Sequence, residues 1–291
     1  MLTILFDGIA YGMLLFVLAV GLAVTMGLMN FINLAHGAFA MVGGYTTVLL
    51  MQRLQVPFLV CLPLAFLVSG LLGAVLERTL YRPMYRRPHL DQVLFSIGLT
   101  FMAVAAMDYF MGSSQQIIQL PAYLKGRSEF DTPLGLLGMG HYRLFIIAVC
   151  AALTVALQFI LARTRFGSRL RAAVDDQRVA AGLGINVNIV FLSTFAVGSG
   201  LAGLGGALGT EVLGLDPTFP LKFMIYFLIV VAVGGTSSIT GPLLAALLLG
   251  IADVAGKYYV PKLGGFIVYS LMIAILIWRP HGLFSRLGGK S

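Results

Sequence analysis

Phe223 to Ala252 reads FMIYFLIVVAVGGTSSITGPLLAALLLGIA, thirty residues without one charged side chain. A continuous helix of that length would run about 45 Å, against a bilayer hydrocarbon core of roughly 30 Å. Its middle, Gly234-Gly-Thr-Ser-Ser-Ile-Thr-Gly-Pro242, is also poor helix sequence. The segment is therefore expected to open in or near a membrane. Backbone at that depth survives only where protein or a water-filled cavity satisfies its N–H and C=O groups, as in transporters and channels.

A second interrupted stretch lies near the N-terminus. Gly8 to Gln52 carries no Asp, Glu, Lys or Arg, yet is broken by Met26-Gly-Leu-Met-Asn-Phe-Ile-Asn-Leu-Ala-His-Gly37. Two broken apolar segments in the two halves of a chain point to a central site and raise an internal repeat, although these two resemble each other only weakly residue by residue.

Composition sets the class. With 59% hydrophobic and 10% charged residues and a mean hydropathy of +0.97, the chain has more apolar surface than a soluble core can hide. The expectation is an all-α polytopic membrane protein, a single transmembrane domain over residues 1–291. Apolar segments fall at 4–27, 34–52, 57–76, 93–111, 143–162, 187–210, 222–234, 239–256 and 264–278. Eight or nine of them cross, depending on whether a broken segment is re-entrant. The first lacks the basic flank and cleavage site of a signal peptide and is expected to stay in the mature protein.

The net charge of +8 reports topology rather than nucleic-acid binding. Arginines gather in 77–92, in 163–186 and in the tail, which makes these regions and the C-terminus cytoplasmic by the positive-inside rule. The segment 112–142 and the turn at Glu211 and Asp216 then lie outside. Asp7 and Asp108, near segment ends, are expected to be wet, and Asp253 to pair with Lys257 across one helical turn. Cys61 and Cys150 sit alone in apolar runs as packing residues. With no charged residue at the centre of the bundle, a proton-driven pump is disfavoured.

Two motifs mislead. Gly198-Ser-Gly-Leu-Ala-Gly203 matches the dinucleotide fingerprint but lacks the preceding strand and the following amphipathic helix. Gly288-Gly-Lys-Ser291 resembles the end of a phosphate loop, but Phe284 stands where its first glycine belongs. No nucleotide, cofactor or metal is expected on this chain. His89, His141 and His281 form no catalytic constellation with a serine or cysteine, so an enzyme is not expected. Small residues four apart, such as Gly8 and Gly12, Ser199 and Gly203, Ala202 and Gly206, and Gly205 and Gly209, predict close helix packing.

Candidate site residues follow from the breaks. Asn30, Asn33 and His36 recur at three-residue spacing, which on a helix would give one polar face toward a substrate path; with Gly37 they form the first group. Gly234, Gly235, Ser237 and Ser238 form the second. The alternative is that both groups merely tie broken backbone to neighbouring helices. In 163–186, Leu170, Ala173, Val174, Val179, Ala180 and Leu183 can line one side of short helices, with Arg169, Arg171, Asp175, Asp176 and Arg178 wet. Such a helix either docks on a soluble partner or lies at the headgroups.

The segments Gly27-Leu-Met-Asn-Phe-Ile-Asn-Leu-Ala-His-Gly37, Glu77-Arg-Thr-Leu-Tyr-Arg-Pro83, Ile97-Gly-Leu-Thr100, Leu183-Gly-Ile-Asn186, Thr194-Phe195, Gly234-Gly235 and Arg279-Pro-His-Gly-Leu283 resemble, in order and over nearly the whole chain, the LivH-like permease subunits of branched-chain amino-acid ABC importers. The resemblance implies a bacterial inner-membrane subunit. Its implied partners are a second, homologous permease, two cytoplasmic ATP-binding subunits that use the ATP, and a periplasmic solute-binding protein. The loop 163–186, with Arg169, Arg171, Asp175, Asp176, Ala180 and Gly184, would rest on an ATPase. Ala38 and Ser237 depart from the family pattern, and related permeases carry urea and short amides, so the cargo stays open. The competing reading is a stand-alone channel or secondary carrier for a small neutral solute.

Overall fold

The computed structural model describes residues 1–29, 31–132, 135–235, 238–279 and 282. It comprises α1 (Leu2–Met29), α2 (His36–Leu54), α3 (Phe58–Leu76), α4 (His89–Met111), α5 (His141–Arg163), the short α6 (Arg165–Asp175) and α7 (Gln177–Gly182), α8 (Val187–Leu213), α9 (Phe219–Gly234), α10 (Thr240–Tyr259) and α11 (Gly264–Trp278). The all-α polytopic expectation holds. An addition to it is an antiparallel hairpin in the 112–142 segment, β1 (Arg127–Thr132) with β2 (Gly135–Gly140). Neither strand has the apolar alternation that would announce it.

All nine expected apolar segments are helical, and among the described residues seven helices are long and apolar enough to cross a membrane. The two that fall short belong to the two breaks. The helix α9 has only 16 residues, and α2 carries Gly43, Gly44, Tyr45, Thr46 and Thr47 at its middle. Each break thus joins one full-length helix, α1 or α10, to a weaker one.

Small residues set how the helices meet. A Cβ on Gly12 would strike the backbone of Ala246 and Leu247, and one on Gly8 would lie 2.7 Å from Ile251 Cα, so α1 and α10 run antiparallel at backbone contact. In the same way Gly21 faces Gly198 and Leu18 faces Gly205, which runs α8 antiparallel to α1. Gly70 and Gly73 seat α3 on α8 at Gly200 and Ser199, and Gly203 meets both Gly43 and Ser69. The glycines of the look-alike fingerprint are therefore packing surface. With lipid on the outside there is no hydrophobic drive to associate, and backbone approach supplies the dispersion contacts instead.

These directions carry the basic loops 77–92 and 163–186 to one face of the bundle, where α3 and α5 end and α8 begins. The start of α1 and the end of α10 share the opposite face. Cys61 and Cys150 are both free and buried.

Candidate functional site

At the first break α1 stops at Met29, and residues 31–35 are irregular before α2 begins at His36. Phe31, fully buried, meets Tyr81 and Tyr85 edge-on at 5.4 and 5.5 Å. Ile32 N–H donates to Gln92 Oε1 at 3.4 Å, and Ser96 Oγ donates to Ile32 C=O at 3.4 Å. Asn33 Oδ1 accepts from Ala35 N–H at 3.1 Å and from the Tyr81 hydroxyl at 3.0 Å. Its Nδ2 is buried without a partner.

His36 turns the other way. A ring nitrogen sits 2.9 Å from Leu18 C=O, and because a carbonyl only accepts, that nitrogen carries the hydrogen. The ring also meets Phe227 edge-on at 6.3 Å. Gly37 lies against Pro220, where a Cβ would come within 2.9 Å of Pro220 Cα.

The expected single polar face is not formed, because 31–35 is not helical: Asn33 looks to the end of α3, His36 to α1 and α9. Asn30 lies outside the described residues. What sequence reasoning missed is the clamp around Asn33. Beyond α3 the chain tightens through a π turn, Glu77–Tyr81, and a 3₁₀ turn, Arg82–Arg86, with Pro83 at its start. That geometry delivers Tyr81 to Asn33 and Tyr85 to Glu77, at 3.1 Å. The only signal was the run Glu77 to Pro83, which had no role attached to it.

The second break is tighter. Gly235 has φ +78, a left-handed conformation that glycine alone adopts cheaply, and its N–H bonds Val231 C=O at 2.9 Å. A Cβ on Gly234 would lie 2.5 Å from Pro242 Cα, so α9 and α10 pivot backbone to backbone. Ser238 is exposed; its Oγ accepts from Gly241 N–H at 3.3 Å and helps start α10. Ser237 lies outside the described residues. Since His36 meets Phe227, seven residues before Gly234, the two breaks stand about 10 Å apart along α9 rather than facing each other. The helix α9 links them in depth.

The 163–186 loop folds as two short helices. Thr164 caps α6, and Asp176 Oδ1 caps α7 through Arg178 and Val179 N–H at 2.7 and 3.0 Å. Arg171 donates to Leu161 C=O at the end of α5. Gly184, φ +83, ends the turn after α7. Arg169 and Asp175 are exposed. The apolar positions divide, contrary to one continuous side: Leu170, Ala173 and Ala180 are buried, whereas Val179 is 58% and Leu183 75% exposed. Ala180 thus holds the loop to the bundle and offers no docking surface. Since α6 packs on α5 and α8 and touches α1, the loop is mechanically joined to the helix that ends at the first break.

Of two charges near the opposite face, one differs from expectation and one does not. Asp7 is not wet; it pairs with Arg143 of α5 and its side chain is 19% exposed. Asp253 pairs with Lys257 at 2.6 Å as expected, but is only 2% exposed and also accepts from the Tyr226 hydroxyl at 3.3 Å.

The family model described as the permease component of the branched-chain amino acid transport system matches residues 4–276. Among curated relatives, the high-affinity branched-chain amino acid transport system permease protein BraD of Pseudomonas aeruginosa is 27% identical, over 97% of this chain and 95% of its own length. The corresponding protein LivH of Escherichia coli is 25% identical over 97% and 94%. LivM of Salmonella typhimurium, also named a permease protein of such a system, is 28% identical over 93% of this chain and 68% of its own. No solved structure matches.

Proposed function

Because the chain belongs to the family of permease components of branched-chain amino acid transport systems, a family of transporters rather than enzymes, we propose that it is the membrane-spanning subunit of an ATP-driven ABC importer. Its cargo on this reading is a branched-chain amino acid or a similarly small polar solute, and the whole chain is one permease domain. The second permease subunit is a homologue, as the paired names LivH and LivM suggest for the relatives. Two ATP-binding subunits and an external solute-binding protein complete the assembly, ATP is used by the partners alone, and the basic loops and C-terminus face the cytoplasm of a bacterial inner membrane.

The observation that carries the ATP-driven reading is the α6–α7 loop. It offers two exposed apolar residues, Val179 and Leu183, beyond a buried anchor at Ala180, on a face crowded with arginine. A rigid helical unit fixed to α1, α5 and α8 can pass the closure of an ATPase pair into the bundle, tilting α1 at the first break. A loop that only rests on lipid has no need of that connection.

Purification from the native operon context tests this directly. The ATP-binding subunits should leave the membrane with the permease, and reconstituted vesicles should take up solute only with ATP. The double variant Val179→Asp, Leu183→Asp should insert and fold normally, while losing at least tenfold of both ATPase retention and uptake. Uptake that persists without any ATPase would establish a channel or carrier instead.

A further inference from the structure

A cavity of about 370 Å³, within the ordinary range for small-molecule sites, opens at the face opposite the basic loops. It is walled by α1, α5, the end of α8, α9 and α10. Five charged side chains line it: Asp7, Arg143, Lys222, Asp253 and Lys257. Lysine and arginine at a bilayer edge are ordinary, but a carboxylate recessed within a membrane helix, as Asp253 is in α10, is costly and calls for a role.

The acidic and basic partners are not held alike. The carboxylates are recessed, Asp253 at 2%, Asp7 at 19% and Asp216, the partner of Lys222, at 17% exposure, whereas Arg143, Lys222 and Lys257 are 44%, 57% and 57% exposed. Fixed anions thus face cations on long stems that can swing to a new partner. One oxygen of Asp7, Oδ1, is buried without a hydrogen-bond donor. Between the charges the wall is apolar, with Leu14, Ile146 and Phe223.

The cavity leads to the first break. Leu14 on α1 is one helical turn from Leu18, whose carbonyl holds His36, and Phe223 on α9 is one turn from Phe227, which His36 meets. The route from cavity to break is therefore short and follows two helices that line both.

We propose that this cavity is the outer binding station for a free zwitterionic amino acid, which draws Arg143 from Asp7 onto its own carboxylate, gives its ammonium to the Asp7 carboxylate so released, and lays its hydrocarbon on Leu14, Ile146 and Phe223. A solute with both charges exchanges the Asp7–Arg143 pair for two new ones, so neither side chain loses a counter-charge, while Lys222 stays on Asp216. A simple anion would leave Asp7 without a donor. An uncharged amide would leave Asp7 and Arg143 to desolvate with nothing in return. The proposal rests on the transport reading above and narrows its cargo.

The test uses the permease complex, with the subunits that co-purify with it, in nanodiscs free of solute-binding protein. Equilibrium binding of leucine is compared with leucinamide, which lacks the carboxylate, and 4-methylpentanoate, which lacks the ammonium. Leucine should bind at least tenfold more tightly than either, and Asp7→Asn should lose at least tenfold. The exchange Asp7→Arg with Arg143→Asp keeps a pair for folding but reverses its direction; it should match the wild-type melting temperature without recovering leucine binding. Equal binding of the three probes, or full affinity in Asp7→Asn, overturns the proposal. So does leucine binding that phosphatidylethanolamine abolishes and phosphatidylcholine spares, since the cavity would then hold a lipid headgroup. Failure of the transport reading shows separately, as a wild-type complex with no ATP-driven uptake of any amino acid.

Discussion

Asn33 is the residue on which the first break turns. Its oxygen joins the irregular backbone, at Ala35, to the π turn beyond α3, at Tyr81, in a site closed to water. Asn33→Ala would leave the buried Tyr81 hydroxyl and the Ala35 N–H short of an acceptor, at about 1–3 kcal/mol for each group left unsatisfied. Tyr81→Phe leaves Asn33 Oδ1 still bonded to Ala35 and costs about 1 kcal/mol. Denaturation of the two variants in detergent should rank them in that order, and the reverse order would show that the clamp is misplaced. At the opposite face Asp216 organises the turn into α9. Burial raises its carboxyl, but hydrogen bonds from Lys222 and Thr218 outweigh this and hold it below the usual carboxylate range. Its native value being depressed, the stabilisation is complete above the unfolded value, about 3.9, and is lost as pH falls through the lower native one. Amide exchange at Thr218, whose N–H bonds Asp216 at 2.9 Å, should thus stay slow from neutral pH to about 5. In Asp216→Asn, exchange should be faster at neutral pH than in the wild type. Unchanged protection in that variant would remove Asp216 from the account.

Between elements the deciding contacts are glycine against backbone. Gly43 of α2 abuts the backbone of Gly203 on α8, while Gly98 on α4 has open space where a Cβ would go. Alanine is therefore expected to act in opposite senses at the two positions. Gly43→Ala must separate α2 from α8 and should cost about 1–3 kcal/mol or more, because backbone cannot rotate aside as a side chain can. Gly98→Ala should be neutral or gain up to about 1 kcal/mol from helix propensity. Melting curves of the paired variants in one detergent measure the difference; equal effects would mean that α2 and α8 do not meet at this point. The small-xxx-small pairs were legible in the sequence, since a helix repeats every 3.6 residues and four-apart glycines share a face. Their partners were not, because nothing in a glycine says which helix will approach it.

For the whole molecule, the two breaks differ in access as well as depth. Ser238 is exposed at the basic face, whereas Asn33 is 1% exposed inside the bundle. In a background lacking Cys61 and Cys150, a cysteine replacing Ser238 should react with a small water-soluble thiol reagent in the permease alone. One replacing Asn33 should stay inert there, and react only in the assembled complex cycling with solute and ATP. Reaction of both at equal rates in every state would contradict the buried break.

Membrane class, the nine apolar segments, the two breaks and the shared face of the arginine loops were all determined by the sequence by itself. Each depends on local hydropathy, charge and helix propensity, quantities additive along the chain. Only the tertiary structure decided that Asn33 and His36 look to different helices, that Ala180 faces inward while Val179 and Leu183 face out, and that Asp7 meets Arg143 beside Asp253 and Lys257. Those outcomes depend on where irregular backbone points and which helices approach, and both are set by contacts between residues far apart in sequence. A three-residue spacing predicts a face only while the helix lasts, and here it ends at Met29.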